Sequence, residues 1–280
     1  MDGHVLRAAR AYSAAADHYC LPALGFWDRL GAETVVRLSL VPGSEVLDLC
    51  CGAGASALAA ARAVGPAGKV IAVDVAAPLL ELARERAARE SLTNVEFRLG
   101  DATSTGLPDR SFDAVVCVFA VFFAADMAAF TAEMWRLVRD GGKLAITTWG
   151  PGWGEPLTSV FWEAVRDLDP ELHKAFNPWD EITSPEALAG LFERAGVTSA
   201  VTEVLADEQP IAHPNEAWDV VLGSGLRGTV DALAEERREA LRERVLATLR
   251  ARGVTGIKTD VVLGRASRGP PRAPAATLRS

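Results

Sequence analysis

Three aspartates close three short apolar runs, and two glycines stand between the first and the second. In "VLDLCCGAGASALAAA" the run reaches Asp48, the adjacent Cys50 and Cys51 follow, Gly52 and Gly54 are spaced G-x-G, and an alanine-rich helix former comes next. Asp74 closes "KVIAVD" twenty residues beyond Gly54, and Asp101 follows "FRLG". Glycines at a strand-to-helix turn let backbone N–H groups approach a ligand, and the helix behind them presents its positive end. Four chemistries compete for this turn: a vicinal disulfide, a metal site, a dinucleotide-binding turn, and a turn for another adenosine cofactor.

The cysteines carry little. Cys20, Cys50, Cys51 and Cys117 form no C-x-x-C, and no histidine stands at ligand spacing from them, so no metal is expected. Adjacent cysteines bridge only through a strained ring. The acids discriminate better. Gly52, Gly54 and Ala57 fit a nicotinamide G-x-G-x-x-A turn, but an acid at Asp48 would repel a pyrophosphate. A carboxylate at Asp74 suits both hydroxyls of a ribose, and one at Asp101 can accept from an adenine amine. Three acids at three strand ends suit S-adenosylmethionine, a cation without phosphate.

The elements that must position these residues alternate. "SEVLDLC", "GKVIAVDV", "NVEFRLGDA", "SFDAVVCVFAV" and "GGKLAITTWG" read as strands, with helices over "ASALAAARAV", "APLLELARERAARE" and "DMAAFTAEMWRLVRD". Unbroken apolar strands alternating with helices predict a parallel sheet covered on both faces, a doubly wound α/β core over about 44–150. The first 42 residues read as helical until Pro42-Gly43. Past Gly150 a Trp-rich stretch surrounds one helix, and "SPEALAGLFERAGV" carries a Ser184 cap. The strands "TSAVTEVLA" and "GIKTDVVLGRA" then enclose a helical insertion containing "VDALAEERREALRERVLATLRARG".

Composition excludes several classes. A chain of 280 residues with net charge −8 and scattered cations is a poor binder of nucleic acid. No apolar run is long enough to span a membrane, and "MDGHVLRAAR" lacks a secretory core, which predicts a cytoplasmic protein. "RASRGPPRAPAATLRS", with four Arg and no acid, reads as a disordered tail.

From about His18 to Arg265 the chain resembles the class I S-adenosylmethionine-dependent methyltransferases. "VLDLCCGAG" matches their glycine motif, "IAVDVAAPLLELAR" the ribose motif, "FRLGDATSTGLPDRSFDAVVC" the adenine motif, and "MWRLVRDGGKLAITTW" the fifth-strand motif. It looks most like members related to quinone-biosynthesis and natural-product enzymes. The resemblance implies a Rossmann-like seven-stranded sheet with an antiparallel last strand and a helical cap inserted between the last two strands. It implies an amino-terminal helical lid over 1–42, a core over 43–265 with cap insertions at about 150–184 and 214–252, and a tail over 266–280.

By the same resemblance Asp48, Gly52 and Gly54 would hold the methionine moiety of S-adenosylmethionine. Asp74 would take the ribose diol beside Val75 and Leu79. Asp101 and Ala102 would flank the adenine, and Phe119 would line the methyl-transfer position. Cys50 replaces the first motif glycine, which is tolerable if its φ stays negative. The family has no fixed catalytic residue; His18 with Tyr12, and then His173, are the candidates for a base. Tyr19, Phe122, Phe123, Trp153 and Trp218 are candidates for substrate contact. Core is the default reading for the tryptophans, and a surface or capping place for His18, His173 and His213. The implied function is methyl transfer to an O, C or N atom of a small, largely apolar or aromatic metabolite. An adenosylmethionine-dependent cyclase and a nicotinamide oxidoreductase are the rivals, and a homodimer with exchanged amino-terminal helices is compatible with the pattern.

Overall fold

A computed structural model describes residues 3–269. Two amino-terminal helices, α1 (Gly3–Ala15) and α2 (Phe26–Leu38), precede the alternating units. These are β1 (Glu45–Leu49), α3 (Ala55–Val64), β2 (Lys69–Asp74), α4 (Ala77–Arg89), β3 (Val95–Leu99), β4 (Phe112–Val118), α5 (Met127–Leu137) and β5 (Val138–Trp149). After α6 (Leu157–Leu168), α7 (Pro185–Arg194) and β6 (Val201–Leu205) come the short β7 (Glu208–Pro210) and the cap helices α8 (Pro214–Leu222), α9 (Arg227–Ala232) and α10 (Glu235–Ala251). The chain returns through β8 (Gly256–Lys258) to β9 (Val261–Ser267).

The main sheet has seven strands in the order β3-β2-β1-β4-β5-β9-β6. β1 to β5 pair in parallel, and β9 runs antiparallel between β5 and β6, so the expected architecture is present. Strand order reverses between β1 and β4, which opens a crevice at their carboxyl ends.

Period-two alternation sorts the strand residues into two layers. Val46, Val70, Ala72, Ala114 and Val116 pack with Ala57, Ala60, Ala61 and Val64 of α3. Leu47, Leu49, Val115, Cys117 and Ile146 join the opposite layer with Met134 and Leu137 of α5, Phe161 of α6 and Phe192 of α7. Asp48 therefore shares the face of Val46, toward α3, a point that decides its role. Ser184 caps α7 as its sequence predicts, its Oγ accepting from Ala187 N at 3.2 Å.

Four local expectations are corrected. The first amino-terminal helix is shorter than "RAARAYSAAADHYC" suggests: α1 stops at Ala15, and a break at 16–25 leads to α2. The long cap helix is split, because Leu233 and Ala234 adopt extended backbone between α9 and α10. "GIKTDVVLGRA" is two strands; β8 pairs with β7 in a separate sheet. Asp207 divides them, its Oδ2 accepting from Thr259 Oγ1 at 2.6 Å and its N–H donating to Asp260 Oδ1 at 2.9 Å. Finally, the ladder between β5 and β9 runs on to Ser267, past the boundary expected at 266, and Arg268 stacks over Trp135 at 4.3 Å. The rest of the expected tail, residues 270–280, lies outside the described residues. Among the described residues no helix is long and apolar enough to cross a membrane, and no cluster of three His, Cys, Asp or Glu could hold a metal.

Candidate active site

A cavity opens at the carboxyl ends of β1 to β4, with about 690 Å³ between its walls when its mouth is counted. Cys50 and Gly52 after β1, Asp74 and Val75 after β2, and Asp101 and Ala102 after β3 form its floor. Val5, Ala8, Ala9 and Tyr12 of α1, with Tyr19 and Trp27, form its roof.

The floor is polar and held by backbone. Asp74 Oδ2 accepts from Gly52 N and its Oδ1 from Ala76 N, both at 2.8 Å. Burial pushes the Asp74 carboxyl above its ordinary range, and those N–H groups oppose the shift. Gly52 has a φ of +53°, and a Cβ there would stand 3.1 Å from Tyr19 Oη, so the cradle beside Asp74 exists only because the residue is glycine. Asp101 Oδ1 accepts from Thr103 N at 2.9 Å and from Thr103 Oγ1 at 2.7 Å, which fixes its carboxylate at the rim.

Cys50 departs from its expected conformation. Its φ is +61°, not negative, so the cysteine keeps the left-handed backbone of the glycine it replaces, at a cost of about 1–2 kcal/mol. A hydrogen bond with Cys117, together with burial, pushes its thiol well up. The adjacent cysteines form no bridge, since Cys50 and Cys51 are both free.

The other end of the cavity is aromatic. Phe119 carries a φ of +56° and donates its N–H to Thr147 O at 2.8 Å, which turns its ring out of β4. That ring stacks on Trp149 at 3.8 Å between centroids, and Trp149 packs on Trp153 at 4.6 Å. Tyr19 lies parallel to Trp27 at 5.2 Å, and Tyr12 meets Tyr19 and Phe123 edge-on.

The sequence profile of a methyltransferase domain matches residues 46–142, the stretch that supplies the whole floor. A nocamycin O-methyltransferase from Saccharothrix syringae is 29% identical over 254 residues, 83% of this chain and 90% of its own length. A demethylmenaquinone methyltransferase from Listeria monocytogenes is 29% identical over 175 residues, 59% of this chain and 74% of its own. In fold, the YcgJ protein of Bacillus subtilis superposes with a TM-score of 0.57 at 18% identity, covering 86% of this chain and 99% of that one. Over residues 46–142 the chain carries a methyltransferase domain.

Around this domain the expected site residues separate into two groups. Tyr12, Tyr19, Gly52, Asp74, Val75, Leu79, Asp101, Ala102, Phe119 and Phe123 meet on the cavity. Asp48 and Gly54 do not. Asp48 is 1% exposed beneath the floor, where its Oδ2 accepts from Ser56 Oγ of α3 at 2.7 Å. Burial pushes its carboxyl up to about 7, against the pull of Ser56. Gly54 turns the chain into α3 with a φ of +87°, and a Cβ there would stand 3.2 Å from Ala83 Cβ of α4, so it serves helix packing.

The candidate bases are also redistributed. His18 Nδ1 lies 2.8 Å from Asp17 Oδ1, and Asp17 meets Arg227 at 3.4 Å, which places this histidine at the seam between α1 and α9. His173 packs edge-on against Trp162 at 6.0 Å, beside a different cleft lined by Trp153, Trp162, Lys174 and Trp179. Tyr12 does line the cavity, but burial first and Asp74 second raise its phenol pKa far above the neutral range. Its phenol therefore does not fit the role of a base at neutral pH. Phe122 packs into the core against Phe123 and Trp179, and Trp218 of α8 is buried in the same core. Trp27, Cys50, Val118 and Phe130 line the cavity without having been singled out as contacts by the sequence. Only Cys50 carried a signal, as the replacement of a glycine.

Proposed function

We propose that this methyltransferase binds S-adenosylmethionine in the floor-and-roof cavity and methylates a small, largely apolar or aromatic metabolite. The observation that carries the reading is Asp74, a buried carboxylate on the cavity wall beside the glycine cradle of Gly52. Among the described lining residues there is no Lys or Arg, while Asp74 and Asp101 are both acids. A floor bearing these two acids repels a pyrophosphate and accepts hydroxyls and amines, which supports an adenosine cofactor without phosphate over a nicotinamide one. Asp74 would take the ribose diol, Asp101 and Ala102 would flank the adenine, and Gly52 would leave room for the methionine moiety. Bound there, the cofactor supplies an electrophilic methyl group on a sulfonium sulfur.

The chain's own work is alignment and exclusion of water. Phe119, held by its strand-end φ and by Trp149, gives a fixed wall; α1, Tyr19 and Trp27 close the space above it. Holding reactants in line removes entropy from the barrier, and dry walls leave a nucleophile unsolvated. The Saccharothrix relative's name supports an oxygen acceptor. Calorimetry tests the cofactor: S-adenosylhomocysteine is expected to bind and NAD is not. Mass spectrometry tests the transfer: a product heavier by one methylene supports it, whereas rearrangement without mass gain would identify a cyclase.

A further inference from the structure

The floor of the cavity addresses the cofactor, and its far end addresses the acceptor. Beyond Phe119 that end is built of Val118, Ala120, Phe123, Ala124 and Phe130, with Trp27 above. Among the described residues, the ionisable side chains lining the cavity are Tyr12, Tyr19, Cys50, Asp74 and Asp101. Both carboxylates belong to the floor: Asp74 is held through both oxygens by the N–H groups of Gly52 and Ala76, and Asp101 through Oδ1 by Thr103. Burial keeps both phenols and the Cys50 thiol protonated, with the Cys117 hydrogen bond leading at Cys50. His18 and His173 stand at other surfaces. Among the described residues, the side chains of the aromatic end, Trp27, Val118, Ala120, Phe123, Ala124 and Phe130, offer no proton acceptor.

Resting on the reading of the cavity as an S-adenosylmethionine site, we propose that the acceptor is an apolar-bodied acid, ionised before it binds, that presents an oxyanion to the methyl group. The step then balances without an enzymic base. A lone pair on the acceptor oxygen forms the O–CH3 bond, the C–S electron pair returns to sulfur, and no proton moves. Anion and sulfonium charges cancel as the bond forms, and walls of low polarity favour a reaction in which charge disappears. A neutral alcohol would have to release a proton among these walls, and a neutral amine would leave an ammonium facing them.

The acceptor class is separable from the cofactor reading by binding alone. The probes are 2-naphthoate and its neutral counterpart 2-naphthalenemethanol, titrated into the full chain saturated with sinefungin or with S-adenosylhomocysteine. Sinefungin carries a protonated amine near the sulfonium position, and the thioether of S-adenosylhomocysteine is neutral. Naphthoate is expected to bind at least about tenfold more tightly to the sinefungin complex, because only there does it meet a cation in a dry site, while the alcohol shows no preference. Phe123→Glu sets a like charge at the half-buried Phe123 position and is expected to weaken naphthoate by about tenfold or more, with sinefungin affinity retained. Equal affinity for acid and alcohol, or no naphthoate binding by about 1 mM, overturns the oxyanion acceptor. Failure of both cofactor analogues to bind overturns the cofactor reading instead.

Discussion

Floor and roof confine the same cavity by different means. The floor is backbone and carboxylate at the ends of rigid parallel strands, with Asp74 pinned by two N–H groups at 2.8 Å. The roof is a layer of side chains on α1, α2 and the turn between them, held by ring packing: Tyr19 stacks on Trp27, and Trp27 meets Phe119 at the end of β4. On the proposed reading, the difference teaches that recognition of the cofactor is built into the sheet, while the acceptor end is a packing surface that can vary without disturbing it.

The largest effect expected comes from beneath the floor. Asp48 titrates near 7 in the folded chain against an ordinary value of 3.8, so between pH 4 and 7 the native state holds a proton that the unfolded state gives up. Stability then falls as pH rises through that window, by on the order of 4 kcal/mol in total, and levels above it. Urea unfolding of wild type and Asp48→Asn from pH 4 to 8 isolates the term. An unchanged slope in the variant would mean that the floor rests on something other than this buried acid.

Next in size, Asp74→Asn removes a charged acceptor from the cavity wall. S-adenosylhomocysteine binding by calorimetry is expected to weaken roughly 30- to 150-fold, for a loss of about 2–3 kcal/mol. Retained affinity would move recognition from floor to roof. Smaller is the contrast between two glycines. Gly52→Ala is expected to weaken the same ligand about tenfold, because its Cβ enters the cradle under Tyr19 at a strained φ. Gly54→Ala is expected to lower stability by about 1–2 kcal/mol through the same strain without changing affinity. Smallest of all, His18→Ala is expected to alter turnover by less than about twofold, since its partner is Asp17 at the α1–α9 seam. A tenfold loss would bring the roof into the chemistry.

The same division explains how much was legible in the sequence. Asp74, Asp101 and Gly52 could be read because parallel strands appear as unbroken apolar runs, and the residues just after each run must lie at the crevice. Asp48 lies beneath the floor rather than on it: alternation from Val46 directs it toward α3, where its Oδ2 accepts from Ser56 Oγ. The left-handed φ of Cys50 is invisible in a cysteine and is inherited from the glycine position. Trp27 gave no signal, since one tryptophan on a helix with buried residues around it reads as core. The three-residue strands β7 and β8 are too short for any periodicity, and the pairing of Asp207 with Thr259 and Asp260 that creates them spans more than fifty residues.

Helix α1 lies across the cavity, and Asp17 at the chain just beyond it is tied to Arg227 of the cap. If α1 moves away from the cap at this seam, the cavity mouth widens, so Arg227→Ala is expected to speed ligand exchange where Asp74→Asn lowers affinity, a contrast that stopped-flow release of S-adenosylhomocysteine would read.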